Sequence, residues 1–254
     1  MNKKAIYLLF SISLGLALVT LFLLCIQPAA AQPPAAPSTS FLSSGNAEEA
    51  VTSLPPGWAY QCANCPLALA QTNNRNLRID SQGRPHVAFG MYKMYYGVFV
   101  DGSWQFEVVD DNTPRGEYAS LALDSAGNPH VSYRTHFGKD VYYAYKDATG
   151  WHRELVDNSN TDVYDDGGYT SIEIDPQGRP HILFRGYVDD SLQPFIHAYR
   201  DDSGWHQETV DGGGNMGFMN SLVIDADGYL HATYVDQTNA DGGISRLLYA
   251  YQDA

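Results

Sequence analysis

Basic residues are scarce in this chain. Its 254 residues include 15 Lys and Arg against 29 Asp and Glu, which gives a formal net charge of −14. A field of this sign repels polyanions, so the composition argues against nucleic acid as a partner. The acidic excess is typical of a soluble surface, and it remains compatible with cationic ligands.

Cysteine is also scarce, with three residues in the chain. Cys62 and Cys65 form a Cys-Ala-Asn-Cys motif, and in an oxidising compartment that spacing predicts a local disulfide. A zinc site would need two further ligands at suitable spacing, and none is evident. A redox motif would need a following helix, and Pro66 gives little sign of one.

The one long apolar segment lies at the N-terminus. Lys3 and Lys4 precede an uncharged run from Ala5 to Ile26, and small residues before Gln32 suit a cleavage site. The run is also long enough to span a bilayer. We expect residues 1–31 to be a signal peptide or an uncleaved membrane anchor, the only membrane contact predicted. Either reading places the remainder outside the cytoplasm, secreted or tethered to the cell surface.

The rest of the chain divides into a linker and one domain. Residues 32–56 are rich in Pro, Ala and Ser and are predicted to form an extended linker. Residues 57–254 show no convincing helical period, which predicts an all-β domain.

A motif of the form Asp-x-x-Gly-x-Pro-His recurs four times in that domain. The copies end at histidines 44, 51 and 50 residues apart: His86, His130, His181 and His231. The fourth copy has Leu230 in place of Pro. A period near fifty built of short strands predicts a β-propeller.

The second copy shows how one repeat reads as a blade. Tyr118–Asp124 alternates as a first strand, and Asp-Ser-Ala-Gly forms a tight turn into a second strand, His130–Tyr133. Val141–Lys146 is aromatic and β-branched, and Trp151–Val156 alternates again. Four antiparallel strands joined in this way make a propeller blade.

The last repeat stops at Tyr251, where a Gly-Trp strand is due, and Gly57-Trp58 offers such a strand at the start of the domain. Trp58 precedes the next motif Asp by 22 residues, and the intervals for Trp104, Trp151 and Trp205 are 20, 24 and 20. We therefore expect four blades closed by the N-terminal strand. The alternative is a truncated part of a six- or seven-bladed propeller.

Recurrence of the same residue in every blade favours a structural role. One active site needs one general base, so the four motif histidines are expected to be packed and hydrogen-bonded to the turns, and the motif aspartates to form those turns. The recurring tryptophans are expected in the core. No catalytic residue, metal ligand or cofactor is predicted. Asp225-Ala226-Asp227-Gly228 resembles half of a calcium loop but lacks the late acid, so calcium is only a weak alternative.

Binding residues are predicted on the variable connections, which share one face of the disc. Function usually resides in such loops on a rigid scaffold. Arg134 and Arg185 occupy equivalent places, four residues after a motif histidine, where they could grip a carboxylate. The predicted ligand-binding residues are Arg115, Arg134, His136, Asp165, Asp166, Arg185, Tyr187, Asp189, Asn239 and Asp241.

The pattern Leu-x-Leu-Asp-x-x-Gly-x-Pro-His-Val-x-Tyr, followed by Tyr-Ala-Tyr and Gly-Trp, resembles extracellular bacterial propellers of the sialidase-like, BNR-repeat superfamily. The resemblance covers residues 57–254 and implies the scaffold. Sialidase Asp-boxes match only in part, at turns such as Asp147–Trp151. The arginine triad, Tyr–Glu pair and separate acid of sialidases cannot be placed on this chain.

These observations favour a secreted or surface-exposed, non-catalytic propeller that recognises a glycan or a protein. A glycosidase-like hydrolase using Asp165 or Asp189 with the two equivalent arginines is the first alternative. A structural or adhesive module is the second.

Overall fold

The computed structural model describes residues 75–90, 92–112, 115–135, 140–158, 169–189, 192–238 and 245–252, all within the second of two compact units of the chain, Gln61–Ala254. Regular structure in these residues is β throughout, and none of them belongs to a helix that could cross a membrane. The strands are β1 Leu77–Ile79, β2 Pro85–Gly90, β3 Met94–Val100, β4 Ser103–Asp110, β5 Arg115–Leu123, β6 Pro129–Thr135, β7 Val141–Asp147, β8 Gly150–Asp157, β9 Thr170–Ile174, β10 Pro180–Arg185, β11 Phe195–Asp201, β12 Gly204–Asp211, β13 Phe218–Ile224, β14 Leu230–Asp236 and β15 Arg246–Tyr251.

Each strand pairs antiparallel with the next one in its own sheet. Blade 1 is β1–β4, blade 2 is β5–β8, blade 3 is β9–β12, and the described part of blade 4 is β13–β15. The first strands β5, β9 and β13 contact one another in succession along the inside of the array. The protein is therefore an all-β propeller with four-stranded antiparallel blades, as the repeat predicts.

The Asp-x-x-Gly motif forms the first hairpin turn of every blade. In blade 1 the Asp80 carboxylate accepts hydrogen bonds from the backbone N–H groups of Gln82 (2.9 Å) and Arg84 (2.8 Å). Gly83 has a φ of +78°, a left-handed backbone conformation that residues with a Cβ atom rarely adopt. Asp124, Asp175 and Asp225 accept the same pair of backbone bonds in blades 2–4. The turn role predicted for these aspartates is confirmed.

The motif histidines lie between the turn and the third strand of their blade, and His86, His181 and His231 are hydrogen-bonded to the turn aspartate, whereas His130 lies 3.7 Å from Asp124. His86 is buried, with Nε2 3.1 Å from Asp80 and Nδ1 hydrogen-bonded to the Tyr96 hydroxyl. His130 and His231 make the equivalent contact to tyrosine hydroxyls, at 2.7 and 2.6 Å. The predicted structural role of the histidines is thus confirmed.

The outer-strand tryptophans of blades 2 and 3 pack against the preceding blade, whereas Trp104 of blade 1 meets Phe99 and Phe106 of its own blade. Trp151 meets the ring of Tyr96 edge-on at 5.4 Å and donates to Glu107 at 2.9 Å. Trp205 repeats both contacts, with Tyr143 at 5.3 Å and Glu154 at 2.9 Å. Both indoles border the hydrophobic clusters between blades, which confirms the predicted core role for these two residues.

One arginine connects three blades near the axis. Arg75, just before β1, donates to Ser221 of β13 at 2.5 Å and is also paired with Glu173 of β9. Blade 1 therefore reaches the inner strands of blades 3 and 4.

Several sequence predictions fall on residues that the structure does not describe. They concern the apolar N-terminal segment, the linker, the Cys62–Cys65 disulfide and the closing strand around Trp58. These predictions, including the closure of the ring, stay predictions.

Candidate functional site

The two faces of the propeller differ in their connections. The β1–β2 and β3–β4 turns, and their equivalents in the other blades, are short and built on Asp and Gly; we call this side the turn face. The connections between the second and third strands, and those between blades, emerge on the opposite side, the loop face. They range from three residues, 91–93, to twelve, 158–169. Variation of this kind on a regular scaffold marks the loop face as the candidate site.

Asp110 organises the loop face where blades 1 and 2 meet. Its side chain is fully buried, and it accepts hydrogen bonds from the Tyr133 hydroxyl at 2.8 Å and from Asn112. Burial alone would raise the pKa of Asp110, but these hydrogen bonds outweigh it and hold the pKa below its ordinary value. Burial next to this ionised carboxylate also raises the pKa of the Tyr133 hydroxyl.

Two guanidinium groups lie around Asp110 with incomplete pairing. Arg115 reaches one Asp110 oxygen at 3.4 Å, and its guanidinium lies 4.0 Å above the ring of Tyr142. Arg153 reaches the other oxygen at 3.4 Å and Asp111 at the same distance. These distances exceed those of strong charge-assisted bonds, so donors on both arginines remain available to a ligand. We call Asp110, Asn112, Arg115, Tyr142 and Arg153 the Arg115 cluster.

The two equivalent arginines, Arg134 and Arg185, come together at the next interface, between blades 2 and 3. Arg134 has no exposed surface, and its Nη1 donates to the backbone carbonyl of Arg185 at 3.0 Å. Arg185 is 4% exposed, donates to Asn215 at 2.7 Å and lies 4.0 Å above the ring of Phe218. Both side chains therefore stabilise contacts between blades in this arrangement.

The remaining predicted binding residues are spread more widely. Tyr187 is half-buried, and Asp189 is exposed in a small bridge with Leu192. Five predicted residues lie outside the described part of the chain: His136, Asp165, Asp166, Asn239 and Asp241.

Ionised carboxylates dominate the described electrostatics. The pKa values of eight aspartates are held below the ordinary value: Asp80, Asp110, Asp124, Asp147, Asp175, Asp201, Asp225 and Asp236. In Asp80, burial opposes ionisation but is outweighed by hydrogen bonds from Arg84, His86 and Gln82. No three His, Cys, Asp or Glu side chains in the described residues are grouped to hold a metal ion.

The sequence analysis missed Asp110 as an organising residue, although a signal is present. An Asp follows the outer-strand tryptophan by six residues in three repeats, at Asp110, Asp157 and Asp211. Asp211 accepts from the Tyr234 hydroxyl at 2.7 Å, as Asp110 does from Tyr133. Each of these tyrosines follows a motif histidine by three residues. The recurring Asp and the recurring Tyr together predict the hydrogen bond from the tyrosine hydroxyl to the carboxylate.

Comparison with protein-family models found no match, and no curated relative was found by sequence. Solved structures do match. A protein of unknown function from Dyadobacter fermentans is 14% identical with a TM-score of 0.52, covering 70% of this chain and 52% of that one. An ulvan lyase of polysaccharide lyase family 25 is 14% identical with a TM-score of 0.49, covering 69% and 51%. The intramolecular trans-sialidase from Ruminococcus gnavus is 15% identical with a TM-score of 0.46, covering 70% and 42%.

These comparisons concern the scaffold. Of the three, the Dyadobacter protein alone exceeds a TM-score of 0.5, and identity of 14% shows a shared fold and no more. The chain spans about half the length of the first two of these matched proteins. Function must therefore be argued from the residues of this chain.

Proposed function

We propose that the loop face of this propeller binds a glycan without converting it chemically, and that the Arg115 cluster forms part of the site. The observation that carries the proposal is the loose pairing of Arg115, 3.4 Å from Asp110, with 28% of its side chain exposed. Stacking on Tyr142 fixes the guanidinium plane while its outward donors remain available. A fixed planar donor suits a sugar carboxylate or a pair of neighbouring hydroxyls.

An aromatic residue with much of its surface exposed is the backbone neighbour of Arg115. Tyr92 is 54% exposed, and its backbone carbonyl accepts the N–H of Arg115 at 3.1 Å, so the two residues are adjacent. An exposed aromatic face next to polar groups suits a sugar, which presents C–H groups on one side and hydroxyls around its rim.

Eight of the described aspartates do not suit the general acid of a hydrolase. Glycoside hydrolysis by a carboxylate pair needs one carboxyl that stays protonated, with a raised pKa, to act as general acid. The eight aspartates whose pKa values are lowered are ionised at neutral pH and do not suit that role.

We further propose that the protein works outside the cytoplasm, as its apolar N-terminal segment predicts.

The test is a glycan array probed with the protein and two variants. Arg115→Ala removes the proposed donor, and we expect it to weaken binding at least about tenfold, because a charge-assisted hydrogen bond contributes roughly 1.5–3 kcal/mol. Arg179→Ala is the matched control. Arg179 lies on the turn face, is 46% exposed and pairs with Asp175 at 2.6 Å, so binding should be unchanged.

The same protein is then incubated with a panel of chromogenic glycosides. Absence of binding to every glycan, or equal affinity of Arg115→Ala and wild type, would overturn the proposal. Turnover of any glycoside would establish the hydrolase alternative in its place.

A further inference from the structure

A cavity of about 240 Å³ lies between blades 3 and 4. Its walls are mostly apolar, with Leu222, Ala232 and Ala250 on the side of blade 4. Blade 3 contributes polar groups through His197 and Glu208. The side chain of Glu208 is 57% exposed. We call this cavity the Glu208 cleft.

The equivalent places between blades 1 and 2 and between blades 2 and 3 are each filled by an indole. Glu208 follows Trp205 by three residues, as Glu107 follows Trp104 and Glu154 follows Trp151. Glu107 and Glu154 each accept the indole N–H of the next outer strand at 2.9 Å. Glu208 holds the same position, and among the described residues it is hydrogen-bonded to His197 Nδ1 at 2.8 Å. A carboxylate has lone pairs for a second donor.

The apolar walls correspond as well. Ala250 in β15 is equivalent to Ala144 in β7 and to Ala198 in β11. Ala144 belongs to the cluster against which Trp151 packs. Ala198 belongs to the cluster against which Trp205 packs. The cluster between blades 3 and 4 contains Leu222, Ala232 and Ala250, with no tryptophan among its described members.

The edge of blade 4 is open beside the cleft. Within the described residues β15 pairs only with β14, whereas β3, β7 and β11 each pair with an outer strand on their other side. Alternate side chains of β15 are exposed, including Leu247 at 75%, Tyr249 at 59% and Tyr251 at 63%. An unpaired strand edge with exposed apolar residues is a template for a further strand.

We propose that this chain's own segment Gly57–Cys62 binds along β15 as the fourth strand of blade 4, with the Trp58 indole in the Glu208 cleft and its N–H donated to Glu208. The segment has the Gly-Trp pair found at Gly150-Trp151 and Gly204-Trp205. Sixteen residues lie between Trp58 and Arg75, and an extended chain of that length reaches about 55 Å. This inference is independent of the proposed glycan site.

The repeats also fix the register. Tyr145 pairs with His152 and Tyr199 with His206, in each case one residue after the tryptophan. The same register pairs Tyr251 with Ala59 and places Gln252, which lines the cleft, opposite Trp58. Gln252 then corresponds to Lys146 and Arg200, whose side chains donate to Glu107 and Glu154.

The first experiment compares melting temperatures of the full chain. Trp58→Ala is expected to lower Tm by about 10 °C, similar to Trp205→Ala, because both remove an indole from an interblade cavity. Glu208→Ala should also lower Tm, and the double variant should melt well above the value expected from adding the two losses, since the residues interact. Phe41→Ala, an aromatic change in the linker, is the matched control and should leave Tm unchanged. An unchanged Tm for Trp58→Ala, or simple additivity with Glu208→Ala, would overturn the proposal.

The second experiment locates the segment directly and covers the case in which Trp58→Ala does not fold. Ala59→Cys and Tyr251→Cys are combined in a chain whose own cysteines carry Cys25→Ser, Cys62→Ser and Cys65→Ser. Directly opposite residues lie within disulfide distance, so oxidation should give a bond within one chain. The control pair, Ala59→Cys with Ala126→Cys on the turn face of blade 2, should stay reduced. A bond between two chains would show a second copy as the occupant, and no bond, or equal bonding of the control pair, would place the segment elsewhere.

Discussion

At the scale of single residues, blade 3 differs from the other blades at one position. His86, His130 and His231 each pair with a tyrosine hydroxyl, whereas His181 faces His197 with the two ring nitrogens 3.0 Å apart. Burial, followed by the neighbouring His197, lowers the pKa of His181 to about 4. Burial also lowers the pKa of His197. Both imidazoles are therefore neutral near pH 7.

This pair gives the fold a dependence on pH. In the unfolded chain a histidine has a pKa of about 6.5, so between about pH 6.5 and pH 4 the unfolded state binds more protons than the folded state. The contribution of this histidine pair to the free energy of unfolding is thus fully present above about pH 6.5 and is lost as the pH falls towards 4. We expect His197→Tyr to reduce this acid-induced loss by at least about 1 kcal/mol, since one unit of pKa is worth about 1.4 kcal/mol.

Urea unfolding at pH 7 and at pH 4.5 measures the effect. The reciprocal change, Tyr143→His, creates a second histidine pair in blade 2 and should increase the loss. Identical losses for wild type and both variants would contradict the role given to the pair.

Sequence reasoning is strongest at this scale where the partners are close in the chain. The Asp80 turn and its contact to His86 involve residues within six positions, so the motif carries the geometry. Arg134 and the carbonyl of Arg185 lie 51 positions apart, and their contact depends on how two sheets pack. The matching positions of Arg134 and Arg185 in the repeat predicted that the two side chains have similar surroundings. Their degree of burial was not predictable from the sequence.

At the scale of elements, blades 1 and 2 come into close backbone contact at two glycines. A Cβ added to Gly90, at the end of β2, would lie 2.3 Å from the Lys93 carbonyl oxygen and 2.7 Å from that of Gly116. Gly116, in β5, has a φ of +136°, and its Cβ would lie 2.6 Å from the same Lys93 oxygen. These obstacles are backbone atoms, which move only if the strands themselves separate.

We therefore expect Gly116→Ala to lower the melting temperature by about 5 °C or more, because it combines backbone strain with a steric clash between blades. Gly212→Ala is the control, since Gly212 lies in the connection between blades 3 and 4 and its Cβ would meet only a Thr209 methyl at an ordinary 3.5 Å. Differential scanning calorimetry provides the measurement. Equal melting temperatures for the two variants would refute the close-approach argument.

Strand positions were largely predictable, and strand ends were less so. The predicted strand Val141–Lys146 corresponds to β7, Val141–Asp147, because its aromatic and β-branched residues suit a pleated surface. The predicted strand Tyr118–Asp124 begins three residues late relative to β5, which starts at Arg115. Irregular register at Glu117 breaks the alternation there, so a period of two does not reveal the first residues of the strand.

At the scale of the whole molecule, Arg75 is the contact that most clearly joins distant blades. Its side chain is 11% exposed and pairs with Glu173, and it donates to Ser221. Arg78 adds a second guanidinium to Glu173 at 2.9 Å, with 24% of its side chain exposed. Burial lowers the pKa of Arg75, and the attraction of Glu173 opposes that effect.

Loss of this arginine should destabilise the molecule more than loss of its neighbour. We expect Arg75→Ala to cost about 1–3 kcal/mol, since it removes a mostly buried guanidinium with its hydrogen bonds to Glu173 and Ser221, and Arg78→Ala to cost less than about 1 kcal/mol. Chemical denaturation of both variants measures the difference. A cost for Arg75→Ala no greater than that for Arg78→Ala would show that the axial contact contributes little.

The global arrangement was predictable from the period of the repeat, because each blade must bury its faces against its neighbours. The axial role of Arg75 was not, since it lies outside the repeated motif and its partners are about 100 and 146 residues away in the chain. The closing strand around Trp58 remains the prediction on which the outer edge of blade 4 depends.

The Asp-Gly turns have a practical consequence for studying this protein. Gln82, Ala126, Gln177 and Asp227 sit at matching exposed tips on the side away from the variable loops. The thiol of a cysteine introduced at any one of them could be coupled covalently to a dye or to a sensor surface. Four such sites, spaced around one rim, would let the molecule be immobilised with its opposite side presented to the solution, in four interchangeable orientations about the axis.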